Sequence, residues 1–325
     1  MKRTFKGNFH AWLLVLFVPL VLFLAAGLQS CRSDDSMTGE GGIGDKPISI
    51  RSPVRIDFTS DGNLLVSDYF RKRIYIIDSS DLKMISSFPV AGRPLAVAFL
   101  DSLFFDIVFV GNESTGTVEA YTLQGWWLYD LGGTKGNVKK PNDIAIDKTQ
   151  DMVFVVDSND GLIKVFRTDG QFLYSIGGTG ADPELLVSPR GIAVDENAQE
   201  IFVTDFGNPS DSAEIPARLK IYNYAGNYLG GFSAEDVASG YEFASPQGIA
   251  VSDNYIFMVE SVLGKILVFN RGTFAGVKTI GSFGSNPGQL FLPLDIIIDP
   301  ATEDVFVTNN RPRRIEAYPG GGVIP

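Results

Sequence analysis

The chain has 325 residues, is 45% apolar and 12% aromatic, and contains 35 glycines, which fits one large globular domain or two small ones. Three of its 27 basic residues (Lys2, Arg3, Lys6) and none of its 38 acids lie in the first 30 positions, so the remainder sets 24 cations against 38 anions. That sign argues against a phosphate-backbone partner, which clustered Lys and Arg would be needed to hold, and no nucleic acid is expected.

The N-terminus reads as an export signal. Basic residues precede an almost wholly apolar run at 13–27, interrupted only by Pro19. Fifteen residues fall short of the ~20 that a spanning helix needs and match the apolar core of a secretory signal. Leu28-Gln29-Ser30-Cys31 follows and resembles a bacterial lipoprotein box, in which the cysteine is lipidated and becomes the new N-terminus. Gln29 departs from the small residue usual there, and an ordinary cleaved signal or a short anchor are the other readings. Cys31 is the only cysteine, so no intramolecular disulfide can form. Residues 1–30 are therefore expected to be a signal peptide and 31–47 a Gly/Ser/Asp-rich tether reaching about 20 Å as a coil. The protein is expected at the cell envelope, held to a membrane through lipid on Cys31, on the outer membrane or cell surface if the host is Gram-negative.

From residue 48 onward one phrase is repeated six times. It is clearest at 140–178: a proline, a short apolar strand ending in Asp, a turn, a second strand, a polar turn, a third strand, Asp169-Gly170, and a fourth strand. The anchoring prolines are Pro53, Pro94, Pro141, Pro189, Pro246 and Pro293, at spacings of 41, 47, 48, 57 and 47 residues. A period of about 40 to 50 with four strands per unit indicates propeller blades. The predicted fold is all-β: a six-bladed β-propeller of four-stranded antiparallel blades over 48–321, with a short tail at 322–325. Pro-x-x-Ile-Ala-Val reads as the innermost strand, buried on both faces. Runs such as Val153-Phe154-Val155-Val156 suit a central strand. The sixth repeat lacks a fourth strand, and residues 48–50 are expected to pair beside 314–318 and close the ring. In the outer strand of the second repeat, alternation predicts one of Trp126 and Trp127 buried and the other exposed.

The pattern Ser/Lys-Pro-x-Gly/Asp-Ile-Ala-Val/Ile-Asp, Phe-Val-x-Asp, Lys-Ile/Val-x-Val-Phe, Gly-x-Phe/Tyr-Leu resembles NHL-repeat propellers, best at 140–178 and 188–232. The resemblance implies a fold far more firmly than a function, since such propellers serve as sensor domains, binding modules, a zinc-dependent lyase and bacterial lipoproteins. His10, the only histidine, lies in the signal, so the mature chain offers no His-assisted nucleophile and no His-ligated zinc. No cofactor is expected.

Residues next to the inner strands should face one channel mouth: Arg55, Asn142, Asp143, Arg190, Gln247 and Asp295. Arg71, Arg73 and Arg313 fall in matching loops of the first and sixth repeats, which the ring would make neighbours. Together these define the expected binding rim, joined by the insertion at 207–220, and no catalytic residue is expected. The expected role is a non-catalytic binding, scaffold or sensor module for an envelope protein, peptide or glycan. The alternative is a calcium-dependent hydrolase or lactonase using carboxylates at the mouth, Asp68, Asp157, Asp205 and Glu260. Recurrence of those acids at one repeat position is equally explained by a turn-forming role.

Overall fold

The computed structural model describes residues 50–102, 105–133, 136–208 and 215–320. They form six antiparallel sheets. Blade 1 holds β1 (Pro53–Phe58), β2 (Leu64–Asp68), β3 (Arg73–Ile77) and β4 (Met84–Pro89); blade 2 holds β5 (Pro94–Leu100), β6 (Ile107–Asn112), β7 (Thr117–Thr122) and β8 (Trp127–Asp130). Blade 3 holds β9 (Pro141–Asp147), β10 (Met152–Asp157), β11 (Leu162–Arg167) and β12 (Phe172–Gly177). Blade 4 holds β13 (Pro189–Asp195), β14 (Glu200–Asp205), β15 (Arg218–Asn223) and β16 (Tyr228–Ser233). Blade 5 holds β17 (Pro246–Val251), β18 (Tyr255–Glu260), β19 (Lys265–Asn270) and β20 (Gly276–Ile280), and blade 6 holds β21 (Phe291–Ile298), β22 (Val305–Arg311) and β23 (Arg314–Tyr318).

Each blade presents apolar side chains on both faces, so every blade is packed between two neighbours. Six cores result, one per blade junction. The junction of blades 6 and 1 is filled by Phe306 and Ile315 against Ile56, Leu64, Val66 and Ile77. Ring closure is thus carried by face packing of β1 on β21 and β22. Blade 6 has three strands among the described residues. Ile48 and Ser49 of the expected closing strand lie outside them; Ile50 is buried in the closing core beside Ile315. All of these cores belong to one compact unit, Lys46–Pro325.

Two local expectations differ from what is seen. The most deeply buried strand is the second of each blade, buried throughout in β2 and β6, whereas inner strands such as β13 are half-buried where they line the channel. Trp126 and Trp127 are both exposed, because Trp126 precedes the strand in the turn and Trp127 sends its indole N–H to Asp130 at 2.9 Å.

Every inner strand loses register with its partner close to its proline, between Pro53 and Ile56, Pro94 and Ala96, Pro189 and Ile192, Pro246 and Ile249, and Pro293 and Asp295, and opposite Asp157 in blade 3. Proline cannot donate to the ladder, and the resulting bulge re-aims the next two side chains toward the central axis.

Candidate functional site

The bulges bring six residues to one repeat position, two after each proline: Arg55, Ala96, Asp143, Gly191, Gly248 and Asp295. Arg55 fills the channel there. It is 2% exposed, and its guanidinium lies 3.3 Å from both Asp143 and Asp295. Its remaining donors go to backbone carbonyls: Nε to Asn142 at 2.9 Å, one terminal nitrogen to Leu294 at 3.0 Å and the other to Arg190 at 2.7 Å. One side chain from blade 1 thereby ties blades 3, 4 and 6 across the axis. The glycines make room: a Cβ on Gly248 would stand 2.2 Å from the Asp295 carboxylate, and one on Gly191 2.3 Å from the Gln247 carbonyl.

Two carboxylates share this one cation. Each also binds across a blade junction, Asp295 accepting the Ile56 N–H and Asp143 the Ile192 N–H, both at 2.9 Å. Asp57 makes the same kind of link to the Phe99 N–H at 2.7 Å. Burial pushes Asp295 up to about 8 against the opposing pull of Arg55, with Asp143 adding to the rise. Burial also raises Asp143, again opposed by Arg55, and raises Asp57 to about 6. The two carboxyls share one cation and titrate as a pair, burial raising both against the pull of Arg55.

Arg55 divides the channel. On the side of the loops joining second to third strands lies a depression of about 290 Å³, lined by Tyr69, Phe70, Lys140, Arg190, Gln247 and Asn310. The Arg190 guanidinium sits 5.4 Å from the Phe206 ring, and its Nε has no partner among the described residues. On the opposite side the channel widens into a cavity of about 630 Å³, with Asp143 and Asp295 at its floor. Its wall is built from Ala98, Ala145, Ile146, Val194 and Val251, and Asp101 and Lys148 lie at its mouth. The Lys148 ammonium stands over the Phe99 ring at 5.9 Å.

The expected rim is thus divided in two. Arg55, Asn142, Asp143 and Asp295 are buried at the constriction, a correction to their placement on an accessible rim: the post-proline bulge turns them inward, where they hold one another. Arg71 and Arg313 are exposed, and Arg73, Arg190 and Gln247 are half-buried on the side of the smaller depression. Arg73 is held by Ser87, with 3.1 Å to its carbonyl. Residues 209–214 of the insertion and Cys31 lie outside the described residues.

The candidate calcium ligands stand apart, each in its own blade. Asp68 accepts the N–H groups of Arg51 at 2.6 Å and Arg71 at 3.0 Å. Asp157 accepts those of Lys139 at 2.8 Å and Lys140 at 3.0 Å, and Asp205 those of Val187 at 3.0 Å and Ser188 at 2.7 Å. Glu260 accepts those of Ala244 and Ser245 at 3.0 and 2.9 Å. Each clamps the segment entering its own inner strand, and the set cannot share one ion. Among the described residues no three His, Cys, Asp or Glu side chains are grouped to hold a metal.

This clamp has a partner that sequence reasoning missed. Lys164 on β11 reaches Asp157 at 2.8 Å, and Lys220 on β15 reaches Asp205 at 3.7 Å. In blades 2 and 6 the clamp is an amide, Asn112 or Asn309, and the same third-strand position holds an acid: Glu119 accepts from Asn112 at 3.0 Å and Glu316 from Asn309 at 3.4 Å. Asp with Lys in blades 3 and 4 is thus replaced by Asn with Glu in blades 2 and 6.

The fold and the axial geometry decide the class. The chain is a six-bladed β-propeller. A family model described as a 6-bladed beta-propeller, DUF5128, matches residues 137–209. The propeller is similar in fold to a solved structure of Kuenenia stuttgartiensis hydrazine synthase, with a TM-score of 0.61 and 14% identity over 88% of this chain and 81% of that one. At that identity the likeness concerns the fold alone. No curated protein matches the sequence.

Proposed function

We propose that this propeller is an NHL-like, lipid-anchored envelope module that binds a protein, peptide or glycan without chemistry, through the wide end of its channel. The observation that carries this reading is the cavity of about 630 Å³ closed at its floor by Arg55. It offers apolar walls with a cation and an anion at the mouth, which is the composition of a recognition pocket. The floor carboxyls serve the ring itself, since Asp57, Asp143 and Asp295 each hold a backbone N–H of the neighbouring blade.

The test combines fractionation and capture. Wild-type protein expressed in its host is expected in the membrane fraction, and Cys31→Ser in the soluble fraction. Crosslinked capture from native envelopes should be lost in the mouth variant Lys148→Glu/Asp101→Lys. Capture undiminished by that charge exchange would place the binding surface elsewhere.

A further inference from the structure

The two faces of the ring carry opposite character. The turns at the wide end are acidic, with Asp61, Asp101, Asp106, Asp151, Glu196 and Asp253. At the narrow end, blades 6, 1 and 2 present exposed cations Arg51, Arg71, Lys72, Arg93, Arg311 and Arg313. Beside them stand exposed apolar side chains: Phe70 is 59% exposed, Val262 58% and Phe283 57%. These are ordered features. The Arg51 guanidinium lies 5.6 Å from the Phe70 ring, Phe283 packs on Phe291 at 4.9 Å, and Arg311 covers the other ring at 5.8 Å. Of the acids at this end, Glu113 accepts a hydrogen bond from the Tyr69 hydroxyl, while the exposed Asp130 and Glu242 lie in blade 2 and in the loop entering blade 5.

We infer that this arc of the narrow face docks on a bilayer surface bearing anionic lipids. Cations alone would suit any acidic macromolecule. Apolar tips projecting at the same level favour a bilayer, where they enter the interface while the arginines stay among the headgroups. The described chain begins on this face, at Ile50 and Arg51. The net negative charge of the chain does not oppose docking. Six-residue strands such as β10 separate the faces by about 20 Å, roughly twice the distance over which salt screens exposed charge, about 8–10 Å.

The inference stands apart from the binding reading, because it needs neither the wide cavity nor lipid on Cys31. The assay uses residues 33–325, which keep every blade and all six cores, with circular dichroism confirming the fold of each variant. Co-sedimentation is measured with phosphatidylcholine vesicles, with mixed phosphatidylcholine–phosphatidylglycerol vesicles, and against soluble heparin as a competitor polyanion. Binding is expected to the mixed vesicles only and to weaken with salt. Each cation at such a surface is worth about fivefold in affinity, so Arg71→Glu/Arg313→Glu should lose at least ~20-fold. Phe70→Ser should lose several-fold, and Lys83→Glu on the opposite face should change nothing. Absence of binding to the mixed vesicles, or rim variants that bind like wild type, would overturn the inference. Heparin binding that falls with the arginines but ignores Phe70→Ser, with no vesicle binding, would assign the arc to a soluble acidic partner instead.

Discussion

The two ends of the central channel are made by the same six strands, yet one is shut and the other open. At the shut end the strands bulge after proline, and a single long side chain reaches three other blades. At the open end the pleat is regular and the side chains are short. The repeat builds the tube, and a departure from the repeat closes it. The second residue after the anchoring proline is Gly in blades 4 and 5, Ala in blade 2, Asp in blades 3 and 6, and Arg only in blade 1.

Removing that departure should have the largest effect. Arg55→Met strands two buried carboxyls and three backbone carbonyls, and breaking such a pair costs about 3–5 kcal/mol. A fall in melting temperature of roughly 6–12 °C is expected, read by calorimetry. A variant that melts with wild type would mean that the shut end contributes nothing to the ring.

Next in size are the clamps away from the axis, where two chemistries do one job. Asp157→Asn takes one of two counter-charges from the Lys164 ammonium, 7% exposed, and leaves it Asp160 at 3.2 Å, at a cost of about 1.5–3 kcal/mol. Lys164→Glu sets a buried acid against Asp157 and should cost more. The double variant Asp157→Asn/Lys164→Glu recreates the arrangement of blades 2 and 6, so it should recover about 1–3 kcal/mol relative to the sum of the single changes. Additive urea midpoints would show that the two chemistries are not equivalent.

A separate effect is the response to pH. Asp57 and Asp295 have folded-state pKa values above those of an exposed carboxyl, so the folded protein holds more protons than the unfolded chain. Their stabilising contribution is complete at acid pH. It is lost as pH rises through about 6 for Asp57 and about 8 for Asp295. Stability measured by urea unfolding should therefore decline from about pH 5 to about pH 9, and Asp295→Asn should flatten the upper half of that decline. A flat wild-type profile would remove the protonated carboxyl from the constriction.

Blade number, strand order and ring topology were legible in the sequence because proline anchors and alternating strands repeat. The site was less so. Listing Arg55, Asn142, Asp143 and Asp295 found the right level of the channel but the wrong accessibility, since pleat reasoning does not anticipate a bulge that turns side chains inward. The clamp partners left a signal that could have been read: Leu-Ile-Lys-Val-Phe and Arg-Leu-Lys-Ile-Tyr follow Asp, whereas Thr-Val-Glu-Ala-Tyr and Arg-Ile-Glu-Ala-Tyr follow Asn. The match between the two positions is one of charge, which a search for hydrophobic periodicity passes over. The charge difference between the faces was hidden for another reason. The two kinds of turn alternate along the chain, and only the ring gathers each kind at one end.

The guanidinium at the axis also sets what shape of guest can be read. A tube open at both ends can hold the middle of a long polymer threaded through it. A tube stopped partway admits only a chain end, a branch tip or a compact residue, which must leave by the mouth through which it entered. A ligand of this propeller would be recognised by its terminus, and lengthening the polymer behind that terminus would add little to its affinity.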